Sequence, residues 1–397
     1  MDYKNLYATA LSKAAHSEIG VLKSKAEGDG FLSLAEGVPA AELFPVEQIA
    51  EASAAMWADE GREVLKYGDY LGYEPLRQKV TGIMKKFGVT CTADQIQLSS
   101  GSTQSMDLVT RVFVNPGDTV LTENPTYIDN KNILRFNGAN IVGLPCDDEG
   151  MDIAALKEKL ASDPKVKLIY VIPDFQNPTG LCWSDKRRQE FIEAVAPYDV
   201  IVIEDNPYGE ITYTGQCHKA LQSYDKKGQV IFLGSLSKTF SPGIRIGWLT
   251  GPQEIVDQAC LVKEHCDLHS SIPDHALAAK FMDMFSYDDH VKSMCDEYIT
   301  RRDALMAAID ECLPGCTYTK PEGGFFLWLH LPEGLTAMKF FEACLTQKVM
   351  VIPGVPFYTD GRDEGTLRLN FTGLPPMTIK KAVIRMGQAL EMCIDNE

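Results

Sequence analysis

Between Gln95 and Leu249 the chain repeats one unit, and this repetition constrains the fold more than any single residue does. Short apolar runs at residues 96–98, 120–121, 168–172, 200–203, 230–233 and 246–249 are each closed by polar residues or glycine, with helical stretches between them. Strands that alternate with helices predict a mostly parallel sheet covered by helices. The expected fold class is therefore α/β. A long helical pattern over 288–312 then changes the rhythm. Beyond it, 324–329, 349–352 and 366–370 read as strands and 336–347 and 376–392 as helices, a smaller α+β unit. A chain of 397 residues also exceeds the roughly 250–300 at which single cores stop growing. The expected division is 1–44 as an N-terminal arm and small-domain segment, 45–287 as the large domain, and 288–397 as an interdomain helix with the C-terminal small domain.

Ahead of the repeat, the first thirty or so residues read as an irregular or partly helical arm ending at Gly28-Asp29-Gly30. A short strand from Phe31 runs into the turn Glu36-Gly37-Val38-Pro39, helix 45–60 follows, and a Tyr/Gly loop, Tyr67 to Tyr73, leads into a helix from Pro75. A glycine turn such as Gly37-Val38 lets backbone approach a ligand closely, or simply connects two elements.

Charge narrows the partners. Lys+Arg of 38 against Asp+Glu of 55 gives a net charge of −17, which opposes attraction to nucleic acid or anionic membrane and points to small-molecule substrates. No apolar run approaches 18 residues and no signal-peptide pattern follows Met1, so a cytoplasmic location is expected. Eleven cysteines without CxxC pairing read as reduced thiols. Cys260, His265, Cys266 and His269 are the nearest thing to a metal cluster, with the two histidines one helical turn apart. On a continuous helix Cys260 falls nearly opposite His269, so no metal is expected there. Cys312 and Cys316 straddle Pro314-Gly315, which breaks any shared helical face.

The chemistry gathers just after the strands. Following 230–233 comes Gly234-Ser235-Leu236-Ser237-Lys238, with Arg245 seven residues on. A lysine at the carboxyl end of a buried strand lies where open α/β sheets hold ligands. With a lowered pKa it can form a Schiff base, while the hydroxyls and Arg245 suit a phosphate; together they suggest pyridoxal phosphate. Ser99-Ser100-Gly101-Ser102-Thr103-Gln104 opens a helix and suits phosphate, or is an ordinary cap. Tyr127, after 120–121, offers a face for a flat ring or packs in the core. Pro173 to Gly180 presents the Asn177 amide, or is a structural Asx-Pro turn. Asp205, closing the run 200–203, is a carboxylate at a buried strand end and needs a cation, which a protonated pyridine nitrogen would supply.

With those residues in hand, the chain resembles fold type I pyridoxal-phosphate enzymes of the class I/II aminotransferase group. It is most similar to the subgroup of 2-aminoadipate, kynurenine and aromatic amino acid aminotransferases. The resemblance runs from about Phe31 to the C-terminus. It is carried by Ser235-Leu236-Ser237-Lys238 with Arg245-Ile246-Gly247-Trp248, by Asn177-Pro178-Thr179-Gly180, by Asp205-Asn206-Pro207-Tyr208 and by Gly37 to Pro45. It implies the cofactor pyridoxal 5'-phosphate, held in the large domain, with Lys238 as Schiff-base lysine and catalytic base and Asp205 on the ring nitrogen. Asn177 and Tyr208 would bond the ring oxygen, and Tyr127 would stack. Ser102, Thr103, Ser235, Ser237 and Arg245 would hold the phosphate, with Tyr67 reaching it from a second subunit of a homodimer. Arg368 would take the substrate carboxylate, a bidentate role suited to guanidinium, and Gly37, Val38 and Asn177 would border the substrate.

The resemblance also implies ping-pong transfer of an amino group from a 2-aminoadipate, aromatic, kynurenine or branched amino acid to a 2-oxo acid such as 2-oxoglutarate. A β-lyase or decarboxylase on the same fold, and a non-catalytic sensor, are the alternatives. Sensors carry a DNA-binding domain ahead of this one, whereas about thirty residues precede Phe31. Two features depart from the subgroup: Tyr70-Leu71 stands before Gly72-Tyr73 where many relatives have Thr-Glu, and the arm, with Lys13 and His16, matches no known specificity pattern.

Overall fold

The computed structural model describes residues 1, 3–13, 17–26 and 28–394. In chain order its strands are β1 (Leu32–Ser33), β2 (Ile96–Ser99), β3 (Thr119–Asn124), β4 (Asn140–Asp147), β5 (Gly150–Met151), β6 (Val166–Val171), β7 (Ile201–Asn206), β8 (Val230–Ser235) and β9 (Gly247–Thr250). They continue with β10 (Thr317–Tyr318), β11 (Phe326–His330), β12 (Val349–Met350), β13 (Ile352–Pro353) and β14 (Thr366–Asn370).

One sheet runs β2-β9-β8-β7-β6-β3-β4-β5. From β8 to β4 every neighbour is parallel, while β9 lies antiparallel to both β2 and β8, and β5 antiparallel to β4. Side chains alternate across a strand, and this sheet uses both faces. Leu168 and Tyr170 of β6 pack with Val109, Leu134 and Val256 on one side. Ile169 and Val171 pack with Leu156, Leu160 and Phe191 on the other. Helices Ser102–Phe113, Ile128–Phe136 and Gln253–Asp267 thus cover one face, and Ile153–Ser162 and Asp185–Val195 the opposite one. This is the helix-covered, mostly parallel sheet that the apolar runs predict.

The differences are physical. β4 and β5 escape a reading by apolar runs because Gly143 and Pro145 interrupt β4, which lies near the sheet edge and is mostly half-buried. The run at 349–352 is not one strand. Val349–Met350 pairs with β1, whereas Ile352–Pro353 joins the antiparallel sheet β10-β11-β14-β13, so the chain changes sheets at Val351. Helix Tyr287–Cys312 packs along the final helix, Pro376–Ile394, which also meets β1 and β12. The arm contains short 3-10 turns, Tyr3–Leu6 and Thr9–Lys13, and the helix Glu18–Lys23, capped by the Ser17 hydroxyl accepting from Gly20 N–H at 3.2 Å. His16 and the side chain of Lys13 lie outside the described residues. None of the described helices is long and apolar enough to cross a membrane. All eleven cysteines are free thiols.

The loop after β6 is pinned by a buried ion pair, Arg188 with Asp174 at 2.5 Å, both fully buried. Arg188 also donates to the carbonyls of Pro173 and Trp183, and Asn206 donates to the other oxygen of Asp174. Removing one partner of such a pair leaves an uncompensated charge in the interior. Arg188→Leu should therefore lower the unfolding free energy by about 3–5 kcal/mol in urea denaturation; a loss below about 1 kcal/mol would mean that Asp174 is satisfied without it.

Candidate active site

Because β2, β3, β6, β7 and β8 point the same way, the segments that follow them emerge along one edge of the sheet. β9 enters the sheet at that edge, with Gly247 paired to both Ser99 and Ser235, and so brings Arg245 to the same place. A cavity of about 250 Å³ opens there. Ser102, Thr103 and Tyr127 line it, as do Asn177, Asp205 and Tyr208, then Ser235, Ser237, Lys238 and Arg245. Arg368, from β14, closes one side, and the turn Gly37-Val38 another. Of the residues selected by sequence only Tyr67 is absent. It is 85% exposed, with its ring edge-on to His269 at 5.9 Å.

One end of the cavity is built for an anion. Gly101, at φ +88°, precedes helix Ser102–Phe113, whose first N–H groups have no acceptor within the helix and carry the positive end of its dipole. Gly247 lets β9 lie against this helix start: a Cβ there would stand 2.4 Å from the Ser102 nitrogen. The Arg245 guanidinium donates to Ser100 O at 3.0 Å and Pro242 O at 3.1 Å, and a Cβ on Gly101 would stand 2.2 Å from it. Ser235 and Ser237 face one another with their hydroxyl oxygens 2.9 Å apart. Guanidinium, hydroxyls and free N–H groups form a cradle for a phosphate.

At the centre lies Asp205, 3% exposed. Its Oδ2 accepts from Asn130 Nδ2 at 2.9 Å and from the Tyr170 hydroxyl at 2.8 Å, while its Oδ1 is buried without a partner. Burial raises its pKa to about 6, against the two donors and the positive charge of Lys238. The Tyr127 hydroxyl donates to Asp129 at 2.6 Å, and burial pushes its pKa and that of Tyr208 up. An orphaned, buried carboxylate oxygen beside an aromatic face suits a flat ring with an N–H at its edge.

Lys238 donates to Gly37 O at 2.7 Å. Burial first, then the charges of Arg368 and Arg245, bring its pKa down to about 8. Arg368, 2% exposed, donates to Asn177 Oδ1 at 3.1 Å and Ala35 O at 2.9 Å, and lies 4.3 Å over the ring of Phe326. No carboxylate of the described residues pairs with it, its Nε is buried without a partner, and burial lowers its pKa to about 10. A buried guanidinium without an anion, in the same cavity as an amine of lowered pKa, is the arrangement for an α-amino acid.

Sequence reasoning missed several members. Ile19 and Lys23 line the cavity from the arm, and Lys23 pairs with Glu36 at 2.7 Å. Asp129 lines it too, and Asn130 and Tyr170 stand behind Asp205. The signals were a tyrosine within the apolar run 168–172 and two polar residues, Asp129 and Asn130, that follow Tyr127-Ile128. The Cys260–His269 stretch is not one helix, since helix Gln253–Asp267 ends before His269. The His269 ring instead accepts from Gly68 N–H at 3.2 Å, and His265 bonds Leu261 O.

The family description Aminotransferase class I and II matches residues 29–386. Aromatic-amino-acid aminotransferase 1 of Thermococcus litoralis is 36% identical over 397 residues, covering 98% of this chain and 95% of its own. The crystal structure of the multiple substrate aminotransferase of Thermococcus profundus superposes with a TM-score of 0.94 at 32% identity, covering 100% of both chains. That of the α-aminoadipate aminotransferase of Thermus thermophilus, complexed with N-(5'-phosphopyridoxyl)-L-leucine, gives 0.91 at 31% identity, again with 100% of both chains covered. With its fold, its lysine and its anion cradle in the order of that family, the chain belongs to the class I and II aminotransferases, pyridoxal-phosphate enzymes of fold type I.

Proposed function

We propose that this aminotransferase takes the amino group from an L-amino acid with a long or aromatic side chain and passes it to a 2-oxo acid such as 2-oxoglutarate. The observation that carries this reading is Arg368, a buried guanidinium without a carboxylate partner in the cavity that holds Lys238. Pyridoxal 5'-phosphate, when bound, supplies a ring that takes up the charge left as a bond at the amino acid Cα breaks. The orphan Oδ1 of Asp205 and the cradle at Gly101 and Arg245 support its binding here.

In this reading Arg245, Ser102, Thr103, Ser235 and Ser237 hold the phosphate. Asp205 Oδ1 would accept from the protonated ring nitrogen, Asn177 and Tyr208 would hold the ring oxygen, and Tyr127 would stack on the ring. Arg368 takes the α-carboxylate through two N–H groups, displacing neutral acceptors. Holding the carboxylate there would disfavour its loss as carbon dioxide and would favour removal of the Cα proton instead. Lys238 Nζ then moves the Cα proton, and a preorganised charged site stabilises the transition state. The names of the Thermococcus and Thermus relatives support aromatic and 2-aminoadipate substrates, and the leucine adduct of the latter a branched one. We also read the protein as a cytoplasmic homodimer in which exposed Tyr67 completes the partner's phosphate site. Its units are 1–44, 45–287 and 288–397.

Titrating the holoenzyme with a panel of amino acids should bleach the cofactor's visible absorbance and yield the matching 2-oxo acid by mass analysis. Pyruvate with ammonia, or an amine with carbon dioxide, would instead establish a lyase or decarboxylase, and no response to any amino acid a sensor. Lys238→Ala should cost at least about 10²-fold in turnover, the lower end for loss of a general base. The lowered pKa of Lys238 makes a separate prediction. Below about 8 the amine is protonated and inert, and above it the neutral amine predominates. Acylation of Lys238 in cofactor-free protein, followed by peptide mass, should rise about tenfold per pH unit and level off near pH 8. A midpoint at the ordinary lysine value of 10.5 would contradict the burial that depresses it.

A further inference from the structure

Asp205 is held by two residues that do not themselves line the cavity. Asn130, on helix Ile128–Phe136, and Tyr170, on β6, are 2% and 0% exposed. Tyr170 pairs across the sheet with Ile203, and Asp205 lies two residues further along the same face of β7. The three polar groups close a triangle: Asn130 Nδ2 to Tyr170 OH at 2.8 Å, Asn130 Nδ2 to Asp205 Oδ2 at 2.9 Å, and Tyr170 OH to Asp205 Oδ2 at 2.8 Å.

Proton counting fixes the direction of every bond in it. An amide nitrogen only donates, so Asn130 donates towards both the tyrosine oxygen and Asp205, which lie too close together for a straight bond from each hydrogen. Tyr170 has a single hydrogen, and with its oxygen already accepting, that hydrogen goes to Asp205. Oδ2 therefore accepts twice and carries no proton. Turning the Asn130 amide over would bring its oxygen against a carboxylate oxygen, so this orientation is the one the triangle allows. What remains is Oδ1, buried and without a partner, on a residue that lines the cavity.

From this geometry we infer that Asn130 and Tyr170 are positioning residues, which occupy Asp205 Oδ2 so that Oδ1 alone meets the cofactor's ring nitrogen. The inference rests on the cofactor reading above. The same two donors favour the ionised carboxylate against the burial that opposes it. A carboxylate free to rotate would share its charge between two directions, whereas the triangle commits Oδ1 to one.

The test separates this role from mere structural support by changing the ligand at one atom. Pyridoxal 5'-phosphate and its 1-deaza analogue, in which carbon replaces the ring nitrogen, are bound to cofactor-free wild type, Tyr170→Phe and Asn130→Ala. Dissociation constants are read by equilibrium dialysis. Wild type should prefer the true cofactor, and each variant should lose about tenfold of that preference, since one hydrogen bond to a charged group is removed. Affinity for the deaza compound should change by less than about twofold. Equal weakening of both compounds, or an unchanged preference in both variants, would overturn the inference. So would a wild type that binds the two compounds alike, although the cofactor reading would survive it. A wild type that retains neither compound would sink the cofactor reading and the inference together.

Discussion

The rest of the site depends on a repulsion. Lys238, Arg245 and Arg368 meet at one cavity, and each is held by neutral oxygens rather than by a carboxylate: Gly37 O for the lysine, Ser100 O and Pro242 O for Arg245, Ala35 O and Asn177 Oδ1 for Arg368. Two buried arginines that hold the fold are treated otherwise. Arg188 has Asp174, and Arg301 has Glu42 and Glu297. A carbonyl fixes the position of a guanidinium or an ammonium without cancelling its charge, so the field stays available to an incoming anion. Arg245 is exposed, but burying charges such as those of Arg368 and Lys238 without a counter-ion costs several kcal/mol each in a real protein, which a bound anion would offset. Stability is thereby exchanged for affinity at those two residues.

The turn before Pro39 ties two of these cations together. Ala35 O takes Arg368, Gly37 O takes Lys238, and Glu36 between them pairs with Lys23 of the arm helix. A carboxylate that claims the Arg368 donors competes with Ala35, and an aldehyde that claims the lysine competes with Gly37. Both displacements act on one short segment, which β1 anchors to β12 and the Val38 carbonyl anchors to Thr372. Ligands that claim these two cations would therefore act on the same piece of backbone.

Much of this was legible in the residues because the large sheet is made of apolar runs, and an apolar run declares a strand whatever surrounds it. Where glycine and proline break the run, as in β4, the strand stayed hidden. Asp205 was legible by its cost, as a carboxylate ending a buried strand. Its two donors were not, for Tyr170 lies 35 residues away in sequence and Asn130 75, and only the pairing of β3 with β6 and of β6 with β7 brings them together. Arg368 has no local signature either, since β14 reads as an ordinary buried strand. Its role came through resemblance, and its lack of a counter-ion only from the fold. The arm residues Ile19 and Lys23 were invisible for the same reason, because nothing in a short helix tells which cavity it covers.

The groups that face the cavity share a pattern. Asp205 has one oxygen satisfied twice and the other not at all, and Arg368 has its terminal nitrogens on neutral acceptors and Nε on none. Each unmade bond in the interior costs about 1–3 kcal/mol. The surroundings hold each group so tightly that it cannot rotate to relieve that cost: Asn130 and Tyr170 for Asp205, the rings of Phe326 and Phe357 for Arg368. Rigidity is what makes the deficit selective. A mobile carboxylate or guanidinium would find some partner of its own, whereas a fixed one can be satisfied only by a ligand that brings the complementary atom to that one place.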